Sequence, residues 1–108
     1  MSDLAKYFLL FEKAVMTIQH KEGKKRGVFF IEGDDAMLAQ IVYTVSTDNI
    51  MIIEHTEVDK ALRGKNIGYE LVHKSADYAR THGMKVSPLC PFAKAVMDKK
   101  PEFRDLLV

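Results

Sequence analysis

Three stretches of this chain carry residue types whose spacing suits chemistry. The first is Arg63-Gly64-Lys65-Asn66-Ile67-Gly68, two glycines and two cations set between an apolar strand-like run, Ile50–Val58, and a helical run over 69–82. Glycine turns tightly and lets a ligand approach the backbone with no Cβ in the way. A helix that opens straight after such a loop presents unpaired N–H groups and a partial positive charge, which together bind anions. Arg63 and Lys65 add full charges beside it. The stretch reads as a diphosphate cradle, in which a β-branched residue at Gly68 would obstruct the phosphates, or as a βα turn with solvated cations; the glycine pattern alone is a weak signal. The second stretch is Glu54-His55-Thr56-Glu57, where a continuously apolar strand turns polar at its end. Such an end either leads toward a site or simply leaves the core. The third is Cys90, at the end of a strand and directly before a helix start, where helix N–H groups lower a thiol pKa. Its other reading is a small buried hydrophobe.

The elements that must position these residues begin with strands. Residues 14–20 alternate like a half-buried strand, Val15, Thr17 and Gln19 against Met16, Ile18 and His20. Residues 21–27 form a polar, glycine-bounded turn in which Lys24, Lys25 and Arg26 make a solvated hairpin tip or a binding patch. Residues 28–32 make a second strand and Gly33-Asp34-Asp35 a reversal. Residues 37–46 make a third strand, with Leu38, Gln40 and Val42 opposite Ala39, Ile41 and Tyr43, and Thr47-Asp48-Asn49 reverses the chain again. Short connections at regular spacing describe an antiparallel meander. The apolar run over 50–53 then fits a central strand covered on both faces. Strand parity puts His55 and Glu57 on one face and Glu54 on the other.

Beyond the glycine loop, Ile67, Leu71, Val72, Ser75, Ala76 and Ala79 form the inward face of an amphipathic helix, which Tyr78 extends and Gly83 closes. Residues 85–90 make a fifth strand, shortened by Pro88. Pro91 fits the first turn of a second helix over 92–99, which Pro101 ends, and 102–107 form a last turn or strand. His20, His73 and His82 read as surface or strand-edge residues.

Composition narrows the function classes. The 108 residues suit one α+β domain over 1–108, with 1–12 as an N-terminal extension. Sixteen cations against fifteen acids leave a net charge of +1, so no global bias points to nucleic acid or a membrane surface. The Lys24–Arg26 cluster lacks the aromatic platform that single-stranded nucleic acid requires. One cysteine forms no internal disulfide, and the four histidines do not combine with it into a spaced metal motif. No apolar stretch reaches the roughly 18 residues of a membrane span. Residues 2–11 do not make a convincing signal peptide, because Asp3 and Lys6 interrupt the apolar run. A cytoplasmic monomer or weak dimer is the expectation.

Taken together, four meander strands, the R-G-K-N-I-G loop opening a long helix, a further strand and a short helix resemble the GNAT superfamily of N-acetyltransferases. Arg63 and Gly68 match the first and last positions of its coenzyme A signature, Gln/Arg-x-x-Gly-x-Gly/Ala. Asn66 stands at the middle glycine, and asparagine is the next most tolerant residue of a left-handed conformation. The segments L-R-G-K-N-I-G, P-L-C-P-F and K-P-E-F-R-D-L are similar to the compact, single-domain YjdJ-like acetyltransferase-like family, over about residues 14–107.

The resemblance implies a mixed, mostly antiparallel sheet whose fourth and fifth strands splay apart, with acetyl-CoA as acetyl donor in the gap. Its pyrophosphate would meet the backbone of Arg63, Gly64, Lys65, Asn66, Ile67 and Gly68, and its pantetheine arm the backbone of Glu57 and Val58. The helices that usually separate the first two strands are missing, which leaves an open or very small acceptor site for a small-molecule or protein amine. The superfamily's usual acid is a tyrosine seven residues after an asparagine; here Cys90 stands at the asparagine and Met97, which cannot donate a proton, at the tyrosine. Cys90 is therefore the candidate acid or nucleophile. His55 is the preferred base because imidazole titrates near neutrality, with Glu54 and Glu57 in reserve. The implied activity is N-acetyl transfer to an amine; a non-catalytic acyl-CoA-binding module is the alternative.

Overall fold

The computed structural model describes residues 17–33 and 36–108. The 1–12 extension, the start of the first expected strand and Asp34-Asp35 lie outside them. The chain runs β1 (Gln19–Glu22), β2 (Arg26–Glu32), β3 (Met37–Val45), β4 (Ile50–Val58), α1 (Ile67–Thr81), β5 (Lys85–Pro88) and α2 (Pro91–Lys99), with single 3-10 turns at Lys60–Leu62 and Pro101–Phe103. The strands lie side by side in sequence order. Neighbours are antiparallel except β4 and β5, which are parallel because α1 carries the chain back between them.

The first strand sits further along than its alternation suggested. Lys21 pairs with Val28 and Glu22 with Gly27, so pairing consumes most of the expected 21–27 turn. What remains is Gly23-Lys24-Lys25, closed by Gly23 N–H donating to Arg26 O at 2.7 Å. An edge strand with one face in water tolerates such charged residues, which is why polarity alone misplaced the boundary. Nor is His20 a plain edge residue. Its ring stacks on Phe29 at 4.0 Å, and its Nε2 lies 2.6 Å from the Tyr43 hydroxyl. Burial lowers its pKa, against an opposing pull from Glu22. Tyr78, reaching over from α1, donates to the Glu22 carboxylate and packs edge-on against His20, tying the end of the helix to β1.

The main core lies between one face of the sheet and the two helices. Phe29 and Ile31, Ala39, Ile41 and Tyr43, Met51 and Ile53, and Val86 point from successive strands into one cluster with Leu71, Val72, Ala76, Ala93 and Met97. The alternation in β3 is as expected, with Ala39, Ile41 and Tyr43 buried and their neighbours half-buried. Ser75, the buried polar residue of α1, satisfies its hydroxyl by donating to Leu71 O at 2.9 Å. The run over 50–53 is not covered on both faces. Met51 and Ile53 are buried, whereas Ile50 and Ile52 are half-buried on the second face. Phe30 is buried on that second face, apart from the main cluster, with the Lys21 ammonium 5.6 Å from its ring.

A β-bulge in β4 decides what the site receives. Tyr43 pairs with Ile53 and Val42 with His55, leaving Glu54 without a partner of its own. Ile53 faces the core, Glu54 and His55 both face away, and Thr56 returns to the core side opposite Ile41. The parity expectation for Glu54 is thereby corrected: the extra residue puts Glu54 on the same face as His55 and Glu57. Its carboxylate there accepts from Thr44 Oγ1 at 3.0 Å.

Candidate active site

The sheet opens where β5 ends. The last β4–β5 pair is Ile53 with Pro88, and Ile53 O then accepts from the N–H groups of Leu89 (2.9 Å) and Cys90 (3.1 Å). Pro88 has no N–H, so it cannot extend the ladder. β4 continues to Val58, and among the described residues no strand pairs with it on that side. Asp59 N–H donates to Leu38 O at 2.8 Å, so Glu57, two residues earlier, also directs its backbone at β3. By alternation the backbone groups of Thr56 and Val58 face the gap. Of the two residues expected to offer their backbone, Val58 does so and Glu57 does not; Thr56 takes its place.

A groove of about 500 Å³ occupies this gap. Thr56, Val58 and Leu62 line one side, Arg63, Gly64, Asn66, Ile67 and Gly68 contribute one end, with Lys65 outside the lining, and Phe92 and Val96 of α2 form the far wall. The glycine loop has the backbone its sequence suggested. Gly64 has φ of 80° and Asn66, the residue capping α1, has φ of 65°, both left-handed. The N–H groups of Ile67, Gly68 and Tyr69 open the helix without intrahelical acceptors. Asp59 steadies the approach to the loop by accepting from Ala61 N–H at 2.9 Å.

Gly68, which lines the groove, also has a packing duty that the sequence did not suggest. A Cβ there would lie 2.7 Å from Phe92 Cε2, so the missing side chain lets α1 and α2 touch. Gly68→Val is accordingly expected to lower stability by about 1–3 kcal/mol through overpacking, read as a lower urea midpoint. An unchanged midpoint would show that Phe92 yields freely.

Cys90 caps the N-terminus of α2 and is buried at the closed end of the gap. Its thiol donates to Thr56 Oγ1 at 3.4 Å, a contact the bulge makes possible by returning Thr56 to this face. Burial pushes the thiol pKa up. Hydrogen bonding from the Thr56 side chain and from the backbone N–H groups of Ala93, Phe92 and Thr56 outweighs that, and the net position is below the ordinary thiol value. Since Cys90 is the one cysteine of the chain, thiolate absorbance followed against pH reports it directly. The midpoint is expected below that of a free thiol, and Thr56→Val is expected to move it upward by removing a donor. A downward or absent displacement would show that Thr56 does not hold the thiolate.

His55 lies on the other face of β4, half exposed, with its Nε2 2.6 Å from Glu57 Oε1. Thus Cys90 and Thr56 are brought together on the core side, His55, Glu57 and Glu54 share the second face, and the unpaired stretch of β4 separates the two groups. Met97 is buried in the core. Sequence reasoning passed over Thr56 as a contact of Cys90, and over Phe92, Val96, Lys99 and Lys100 as groove residues. Phe92, Val96 and Lys99 of α2, with Lys100 at its cap, recur at helical spacing on one stripe, a signal available in the sequence.

A five-stranded sheet that splays at its fourth and fifth strands, with a glycine loop and helix at the opening, is the architecture of a coenzyme A-dependent acyltransferase. The family model described as GCN5-related N-acetyl-transferase matches residues 28–106, and the chain belongs to that family. No curated protein matches its sequence. Among solved structures it is similar to a Staphylococcus aureus protein assigned as a GCN5-like N-acetyltransferase, at 29% identity and a TM-score of 0.68, over 84% of this chain and 88% of that one. A Bacillus anthracis protein assigned as a streptothricin acetyltransferase, in complex with acetyl coenzyme A, shares the fold at 19% identity and a TM-score of 0.53, over 62% of this chain and 39% of that one. An aminoglycoside acetyltransferase from an uncultured soil metagenomic sample, in complex with sisomicin, does so at 13% and 0.56, over 77% of this chain and 59% of that one.

Proposed function

We propose that this chain transfers an acetyl group from acetyl-CoA to an amine, with Cys90 at the reacting thioester. The observation that carries the reading is the meeting of three features at one opening in the sheet: the β4 backbone at Thr56 and Val58 facing the gap, the left-handed loop before α1, and, where β4 and β5 part, a thiol whose pKa lies below its ordinary value. The first pairs with the amide-bearing arm of a pantetheine, the second with its diphosphate, and the third borders the closed end that the thioester would reach. The fold-mate with bound acetyl coenzyme A supports the choice of donor. The one with bound sisomicin supports an amine acceptor.

In this reading the amine arrives from the second face, where Glu54, His55 and Glu57 are exposed, and meets the thioester through the gap. His55, oriented by Glu57, takes the amine proton. The amine nitrogen bonds to the acetyl carbon as the carbon–sulfur bond breaks, and Cys90 gives its proton to the departing sulfur. The Cys90 thiolate that remains keeps the Thr56 hydroxyl and the α2 N–H groups as donors. A thiol held below its ordinary pKa can protonate a thiolate of ordinary basicity, which favours this direction of transfer.

The test is release of free coenzyme A thiol from acetyl-CoA across a panel of amines, with acetylated product identified by mass. Acceptor-dependent release is the expected result. Tight binding of acetyl-CoA with no release over any amine would replace the enzyme with a binding module.

A further inference from the structure

Three cations line the groove, from its loop end and from the end of α2. Arg63 comes from the glycine loop, and Lys99 and Lys100 come from the last turn of α2 and its cap. None of the three has an ion-pair partner among the described residues. Their role at a helix C-terminus is partly generic, since cations there complement the helix dipole. That does not account for their convergence with Arg63. Like charges lining one groove repel one another weakly through solvent, and an anion bound between them relieves that repulsion.

The donor offers more anionic charge than the loop can answer. A diphosphate fits the α1 N-terminus with Arg63 beside it, but coenzyme A also carries a phosphate monoester on its ribose, close to a double charge near neutrality. We propose that Lys99 and Lys100 form a second anion subsite that reads this 3′-phosphate, so that the protein prefers coenzyme A to 3′-dephospho-coenzyme A. The Lys100 ammonium also lies 5.1 Å from the ring centroid of Tyr69, another residue of the lining. The sulfur end of the ligand is identical in the two molecules, so chemistry at Cys90 plays no part in the discrimination. The inference rests on the groove being a coenzyme A site.

The experiment is calorimetric titration of the wild-type chain and of Lys99→Ala/Lys100→Ala with coenzyme A and with 3′-dephospho-coenzyme A. The wild type is expected to favour coenzyme A by about fivefold, the scale of a few exposed charge interactions. The double variant is expected to bind both ligands equally, with its affinity for the dephospho form unchanged. Both side chains are exposed, so the melting temperature should hold. Equal wild-type affinity for the two ligands overturns the subsite while leaving the groove assignment intact. So does an equal loss for both ligands in the variant, which would make the lysines general supports. Failure of the wild type to bind either ligand overturns the groove assignment itself and the subsite with it.

Discussion

Cys90→Ala is expected to lower turnover about a hundredfold, close to 2.7 kcal/mol of transition-state stabilisation, while acetyl-CoA affinity stays within about twofold. The separation follows from where the thiol sits. It sits where β4 and β5 part and touches Thr56 and the start of α2, whereas the loop and the lysines at the end of α2 line the groove itself. Removing one sulfur leaves those surfaces in place. Cys90→Ser should recover little, because an alcohol is a far weaker acid and nucleophile than a thiol. Incubation of the wild type with acetyl-CoA and no amine separates two active roles for the sulfur. An acid leaves the protein mass unchanged, and a nucleophile adds one acetyl group that Cys90→Ala abolishes. Full turnover by Cys90→Ala would reduce the thiol to packing.

Gly64→Val is expected to weaken acetyl-CoA binding by at least about tenfold, or 1.4 kcal/mol, with the circular dichroism spectrum unchanged. Gly64 lines the groove at φ of 80°, and a Cβ built on it meets nothing within 4 Å. Valine there clashes with no neighbouring side chain. It does force a β-branched residue into left-handed backbone and adds bulk at the edge of the groove. This is the substitution that isolates the cradle, since the same change at Gly68 would strike Phe92 and confound binding with folding. Calorimetry returning the wild-type affinity for a folded variant would remove the loop from the binding site.

Much of this was legible in the chain because local patterns and tertiary demands agree. The 3.6-residue period of α1, its closure at Gly83 and the alternation of β3 depend on near neighbours and survive in the structure. Asn66 in a left-handed conformation was inferable from residue chemistry alone. What stayed hidden depends on residues far apart in sequence. The β1–β2 register requires knowing that Lys21 and Glu22 sit on an edge. Gly68 requires knowing that Phe92, on another helix, rests against it. The bulge at Glu54 has no composition signal, because Glu-His-Thr-Glu is uniformly polar and gives no phase to count from.

That bulge gives β4 two reading frames. Up to Ile53 the odd positions face the core; from Thr56 onward the even ones do. In a strand of unbroken phase, the imidazole of His55 would be the side chain aimed at the Cys90 sulfur, and the hydroxyl of Thr56 would be in water. The thiol's partner is thus chosen by strand phase, since the bulge aims a neutral hydroxyl at the sulfur where unbroken alternation of the same sequence would aim an imidazole. Excising Glu54 would leave His55 and Thr56 facing as they do now, whereas excising Thr56 would bring a carboxylate up to the sulfur. Length, measured in single residues, is therefore as much a part of this site's chemistry as the identities of its side chains.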